Sequence, residues 1–317
     1  MTKITGLPDL RHGKLTAVVA ILTHHQMYCV MRPINSILVP VDFSKVSANA
    51  FRYALRLADQ LDASIDLLHV VAPTDGSLIS ISLNAQLIDI GNEKLTDLFT
   101  KEITDVSSQL ENVPAVRSFV KNGNLRATIR QHVKTERTDL IVMGTHGEND
   151  DDVDIMFGTN TSLLVNMAPC PILAVPEGFS FRPLRSLCYA TDLEHIDAFH
   201  AGHLLKALRI FKPRLDFVHV KTGKGGKTKF NMDLLREVFD RPDTGIDTRF
   251  YTLEDDDVAE ELFGFAKATD ADLVVMHRPH HNWLSRLFGN SNTREAVLEA
   301  TLPLLILPQE QEEEAEN

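Results

Sequence analysis

Ser36–Ser44 reads SILVPVDFS, and Ser186–Glu194 reads SLCYATDLE. The stretches around them repeat too. Ser64–Pro73 (SIDLLHVVAP) returns as Arg214–Gly223 (RLDFVHVKTG), Thr138–Gly147 (TDLIVMGTHG) as the ADLVVMHRPH that ends at His280, and Pro171–Pro176 (PILAVP) as Pro303–Pro308 (PLLILP). Ser36 to Ser186 and His69 to His219 are both offset by 150, whereas Gly144 to His277 is offset by 133 and Pro171 to Pro303 by 132. The chain therefore holds two copies of one unit, the second about seventeen residues shorter between its second and third strands.

Each copy alternates short apolar runs with helix-period stretches. In the first, Ser36–Val41, Ser64–Val71, Ala115–Val120, Leu140–Met143 and Ile172–Val175 read as strands. In the second, Ser186–Tyr189, Leu215–Val220, Ile246–Tyr251, Leu273–Met276 and Leu304–Leu307 do. Runs of consecutive Val, Ile and Leu fit parallel strands buried on both faces. Val46, Ala50, Tyr53, Ala54, Leu57 and Ala58 recur at helix spacing across Lys45–Gln60, with Ser44 as N-cap, and Asn124 precedes a helix at Leu125–Glu136. Strand–helix alternation predicts an α/β fold of two tandem, doubly wound, five-stranded parallel sheets with right-handed crossovers. In such sheets ligands sit at the carboxyl ends of the strands, at the switch point. Here that means Asp42, the residues after Val70, and the loop after Met143.

With 317 residues the chain is long enough for two cores. Its net charge of −12 argues against a nucleic-acid footprint. Part of that charge lies in Gln309–Asn317, where Glu310, Glu312, Glu313, Glu314 and Glu316 read as a solubilising acidic tail (310–317). Cys29, Cys170 and Cys188 are widely spaced, as expected in a reducing compartment, and no stretch approaches a membrane span. A cytoplasmic protein without membrane association is expected. Residues 1–33 have no counterpart before the second copy. Leu15–Leu22 (LTAVVAIL) faintly resembles a secretory signal, but no small-residue cleavage site follows it. The segment reads as an extension outside the fold, or as a start assigned ahead of Met31.

The first copy's chemistry concentrates in Gly144–Thr161, GTHGENDDDVDIMFGTNT. Gly144 and Gly147 follow a strand, and Gly158 precedes Thr159, Asn160 and Thr161 at a helix start. Glycines let backbone N–H groups approach an anion, and a helix N-terminus adds donors and a favourable dipole. Tight turns need glycines too, so the loop also admits a purely structural reading.

The VPVDFS of Val39–Ser44, the LHV of Leu68–Val70, the MGTHG of Met143–Gly147 and the following FGTNT and CPILAVP resemble the universal stress protein family. The resemblance covers Ser36 to Pro308 in both copies and implies two domains, 34–178 and 184–309. Nucleotide-binding members of that family carry G-x-x-G, nine residues, then G-[S/T]. By that resemblance the first copy binds ATP. Asp42 would meet the adenine or ribose beside Pro40 and Val41, and the Val70 backbone the adenine edge. Met143, Gly144 and Thr145 would line the path to the phosphates, which Gly147, Gly158, Thr159, Asn160 and Thr161 would cradle. The family's fifth strands pair across a dimer; in a tandem chain they would form an internal pseudo-dimer, leaving other surfaces for a homodimer or a protein partner.

Two departures stand out. Ten residues, Glu148–Phe157, separate Gly147 from Gly158, and they include Glu148, Asp150, Asp151, Asp152 and Asp154, with no Lys or Arg between Gly144 and Thr161. A carboxylate ~6 Å from a phosphate charge costs roughly 1–3 kcal/mol at intermediate dielectric. The carboxylates either face water or reach phosphate through Mg²⁺ or Mn²⁺, so nucleotide binding is expected to need a divalent ion. In the second copy the three glycine positions become His277, His280 and Asn290, while Asp192 and Val220 still match the adenine end. Ordinary triphosphate binding is expected to be lost there. His277, His280 and His281, with His195 and Asp192 across the cleft, read either as a Zn²⁺ site or as polar filling of a vacated pocket; His200 and His203 read as helix-surface residues. There is no nucleophile elbow and no phosphate-loop lysine. A regulatory nucleotide binder is expected, the alternatives being a non-binding scaffold and a slow ATPase.

Overall fold

The computed structural model describes residues 33–72, 78–145, 168–191, 193, 204–223, 232–239, 247–277 and 302–308. The first half supplies β1 (Ser36–Pro40), α1 (Lys45–Leu61), β2 (Ser64–Val71), α2 (Leu78–Val106), β3 (Val116–Asn122), α3 (Leu125–Glu136), β4 (Leu140–Gly144) and β5 (Ile172–Val175). The second supplies β6 (Ser186–Ala190), β7 (Arg214–Lys221), α4 (Met232–Phe239), β8 (Thr248–Glu254), α5 (Val258–Ala268), β9 (Leu273–His277) and β10 (Leu304–Leu307).

The strands form one ten-stranded sheet in the order β3-β2-β1-β4-β5-β10-β9-β6-β7-β8. Each half is parallel, and the halves meet where β5 and β10 run antiparallel, with Leu305 opposite Leu173 and Ile306 opposite Ile172. Every residue of β5 (ILAV) and β10 (LLIL) is buried. The expected internal pseudo-dimer is thus present, because an apolar strand too short to stand at an edge finds its ladder partner within the same chain.

Helix ends follow local chemistry. Ser44 caps α1 by accepting the Ser47 N–H (3.1 Å), and the helix stops at Asp62 in the left-handed region (φ 54°). Asn124 caps α3, accepting from the N–H groups of Arg126 and Ala127, and Arg137 (φ 57°) ends it. Asp139 and Asp272 do matching work: each carboxylate accepts two backbone N–H groups where a first strand begins, Asn35 and Ser36 in one half, Arg185 and Ser186 in the other. Several strand limits shift from the expectation by one residue, and those of β3 and β8 by up to three. β3 runs on to Asn122 because β2 offers a partner as far as Val71, and Gly123 donates to the Val71 carbonyl. β8 likewise runs on to Glu254 opposite Lys221.

One core layer packs α1, α2 and α4 on one face of the sheet, and a second packs α3 and α5 on the other; both layers cross from half to half. The linker is fastened rather than loose. Asn49 of α1 donates to the carbonyls of Pro176 and Phe179, Phe181 packs edge-on against Tyr53 at 5.2 Å, and Arg182 pairs with Asp272 at 2.6 Å.

Candidate functional site

The strand order 3-2-1-4-5 places the switch point of the first half between β1 and β4. Register sets what meets there. Pro40 lies opposite Leu68 on β2, and Leu38 opposite Ile141 on β4. Continuing both ladders brings Val41 and Asp42 level with Val70 on one side and with Gly144 and Thr145 on the other. Seven of the twelve predicted contact residues, Pro40, Val41, Asp42, Val70, Met143, Gly144 and Thr145, therefore converge at three adjacent strand ends. Gly147, Gly158, Thr159, Asn160 and Thr161 lie outside the described residues. So do the acidic insert and, in the second half, Asp192, His195, His200, His203, His280, His281 and Asn290. Among the described residues no cluster has the makings of a metal site.

The turn after β1 is tightly specified. Val41 donates to the Leu68 carbonyl (2.9 Å), and the exposed Asp42 carboxylate accepts the Ser44 N–H (3.0 Å). Between them Phe43 adopts φ 70°, a left-handed conformation costing a non-glycine residue about 1–2 kcal/mol. Compensating contacts surround it. His69 packs its ring against Phe43 with centroids 4.4 Å apart, and the Lys94 ammonium of α2 lies 5.3 Å over the same ring. The His69 Nδ1 is 2.9 Å from the Val41 carbonyl. A carbonyl only accepts, so Nδ1 carries the proton and donates. The second half repeats this bracket: Thr191 donates to Val218, His219 Nδ1 donates to the Thr191 carbonyl (2.9 Å), and Leu193 takes φ 57°.

On the other side of the switch point, Thr145 donates to the Val175 carbonyl at 3.2 Å and is buried. The Met143 side chain is only 6% exposed and belongs to the core, so its outward contribution is backbone. Gly144 has a packing reason of its own. A Cβ there would stand 2.5 Å from Val46 Cγ1 and 3.1 Å from the Val46 carbonyl carbon and oxygen. Its lack of a side chain admits the first turn of α1 whether or not a ligand binds.

Motif reading gives His69 and Phe43 no role, although both lie within the LHV and VPVDFS stretches and the structure places them beside the candidate site. The available signal was the repeated His at positions 69 and 219, each next to a strand end. Away from the cleft, Asp66, 1% exposed, binds Arg117 through two 2.8 Å bonds and His132 Nε2 at 2.8 Å. Lys121 Nζ lies 3.2 Å from His132 Nδ1; an ammonium only donates, so the Nε2–H of His132 points at Asp66. Burial by itself would raise the Asp66 carboxyl, but the hydrogen bonds from His132 and Arg117 outweigh it and hold the group below its ordinary value. In the second half Phe265 and Tyr251 pack with tilted rings at 4.7 Å where His132 and Phe119 stand in the first, and among the described residues Asp216 is held by Arg214 of its own strand.

The family model described as the universal stress protein family matches residues 33–176 and 233–308, well over half of the chain. The chain belongs to the universal stress protein family. Among curated members, universal stress protein A homolog 1 of Coxiella burnetii is 26% identical over 142 residues, covering 44% of this chain and 94% of that protein. A universal stress protein of Methanocaldococcus jannaschii is 29% identical over 156 residues, covering 45% and 82%. Among solved structures, a universal stress protein from Archaeoglobus fulgidus superposes with a TM-score of 0.64 at 14% identity over 90% of this chain and 99% of that one. That likeness extends the universal stress protein fold across both halves. No helix among the described residues is long and apolar enough to cross a membrane.

Proposed function

We propose that this universal stress protein is a nucleotide-responsive regulator that binds ATP, or another adenine nucleotide, at the switch point of the domain spanning 34–178. The observation that carries the reading is the Asp42 carboxylate, exposed at the junction of three strand ends and held there by the Phe43 turn. A carboxylate at that point accepts hydrogen bonds from ribose hydroxyls or an adenine amine, and the Val70 backbone stands level with it for the base edge. Pro40, Val41 and the Met143–Thr145 backbone complete the walls. Gly147 and Gly158–Thr161 would then hold the phosphates, and the carboxylates of the acidic insert would hold a Mg²⁺ or Mn²⁺ ion that offsets their charge.

The test is calorimetric titration of ATP into the full chain, with and without EDTA, for wild type and Asp42→Asn. Asparagine keeps an oxygen for the Ser44 N–H but loses the charge and adds a donor. The reading expects saturable binding that weakens roughly tenfold or more in the variant, a loss of ~1.4 kcal/mol. No heat and no retained nucleotide in the wild type would sink the nucleotide reading; affinity unchanged in EDTA would remove the divalent ion from it.

A further inference from the structure

Arg117, Phe119 and Lys121 alternate along the outer strand β3 and so share one face of it, the face that His132 of α3 covers. Both cations lie over the Phe119 ring, the Arg117 guanidinium 5.4 Å and the Lys121 ammonium 5.6 Å from its centroid. The ring stands edge-on against His132 at 4.9 Å. From the half-buried Lys121 a chain of polar contacts runs inward. Lys121 Nζ is 3.2 Å from His132 Nδ1, and His132 Nε2 is 2.8 Å from the Asp66 carboxylate, which the Arg117 fork also holds. Arg117 reaches Glu136 Oε2 as well, at 3.0 Å. His132 and Asp66 are buried.

The order of these groups is chemical. The Asp66 carboxylate only accepts, so it takes the Nε2–H and leaves the Nδ1 lone pair facing Lys121. Among the described residues, that lone pair is the one polar partner of the Lys121 side chain, and no carboxylate pairs with it. A nucleophile within reach of a base, with the base oriented by a third group, is the arrangement that activates an amine. The fold does not require it. In the second half Leu253 stands opposite Val220 as Lys121 stands opposite Val70, and Phe265 follows the cap Asp257 by the same interval as His132 follows Asn124. That half closes the same corner with apolar side chains.

We propose that Lys121 is an acyl-acceptor site, a nucleophilic amine that takes an activated acyl group from an acyl phosphate or a thioester with His132 as its general base. In the reacting form the neutral Nζ donates one N–H to His132 Nδ1 and turns its lone pair outward. The Nζ–C bond forms as the bond from the acyl carbon to the phosphate oxygen, or to the sulfur, breaks. The Nζ proton passes to His132 Nδ1 and then through solvent to the departing phosphate or thiolate, which returns the imidazole to its neutral form. Asp66 and Arg117 are positioning residues. Asp66 fixes the tautomer and offsets the transient imidazolium charge, and Arg117 holds Asp66. The amide product is uncharged, so acylation removes a cation from the β3 position in register with Val70.

Acylation of the folded full chain by acetyl phosphate and, separately, by acetyl-coenzyme A tests this, with initial rates read lysine by lysine by peptide mass spectrometry. Lys121, although half-buried, should acetylate at least about tenfold faster than the exposed Lys134, Lys206 and Lys267. Reaction with one donor alone assigns the source to that donor, and reaction with both supports the shared chemistry. On acidification the ratio of the Lys121 rate to the Lys134 rate should fall as Nδ1 takes a proton. In urea-unfolded chain the four lysines should react alike. His132→Phe installs the side chain that the second half uses; it should bring Lys121 to the common rate or below, and leave the ratio indifferent to pH. Asp66→Asn keeps an acceptor for Nε2–H without the charge and should lower the ratio in part. A Lys121 rate no higher than the exposed lysines with either donor overturns the proposal. So does a preference that survives His132→Phe, or one that persists in the unfolded chain. The acid and urea arms use the wild-type chain alone, so they decide the matter even where a variant does not fold.

Discussion

Replacing Gly144 with alanine isolates the packing role of a glycine that also sits in a phosphate-loop motif. The added Cβ would lie 2.5 Å from Val46 Cγ1, a flexible contact, and 3.1 Å from the Val46 carbonyl group, a rigid one. Overpacking of this kind costs about 1–3 kcal/mol. Val46 is 8% exposed, and Val46→Ala alone should cost about 1.6 kcal/mol for two lost methyl groups. The double variant has room where the single one clashes. Its total should fall short of the sum by about 1 kcal/mol, a coupling expected of touching residues. Equilibrium urea unfolding of the four proteins, without nucleotide, measures the cycle. A neutral Gly144→Ala, or additivity within about 0.3 kcal/mol, would refute the claim that this glycine exists for α1. If the claim holds, a larger substitution such as Gly144→Asp lowers ligand binding by disturbing the turn and reports nothing about phosphate contact. Gly158 is then the better probe of the cradle.

Other outcomes follow from the same geometry. The Asp66 carboxyl is lowered in the folded chain, so its stabilisation is complete above its unfolded value, about pH 4, and disappears as pH falls from there through the lower folded value. Asp66→Asn should cost about 2 kcal/mol at pH 7 and flatten the melting-temperature profile below pH 4; a parallel profile would count against it. Leu305→Asp places a carboxylate at a 4% exposed position in the β5–β10 seam, and should cost at least about 3 kcal/mol and promote association by sedimentation. His69→Leu removes the donor to the Val41 carbonyl and should cost about 1–2 kcal/mol by urea unfolding. His69→Asn, which keeps an N–H near the Nδ1 position, should recover part of it.

Much of the fold was legible because its signals are local or repeated. Runs such as ILV at Ile37–Val39 and LIVM at Leu140–Met143 announce strands covered on both faces, and Ser44 and Asn124 announce helix starts that the structure keeps to the residue. Repetition added topology, since a unit occurring twice with apolar fifth strands leaves those strands for each other. Which residues of the candidate site stand at the strand ends was equally readable, because residues directly after buried strands must emerge at one edge of the sheet.

The sequence by itself determined the duplication, the parallel strands, the seam and which residues stand at the strand ends, since each depends on short-range pattern and on the rule that apolar strands must be covered. Only the tertiary structure decided that His69 and His219 hold the turns after β1 and β6, that Gly144 yields to Val46, and that His132 of α3 reaches Asp66 on β2. These are contacts between residues 28 to 98 positions apart along the chain, set by strand register and helix approach. A side chain's partner across a sheet is fixed by packing in three dimensions, and no local period records it.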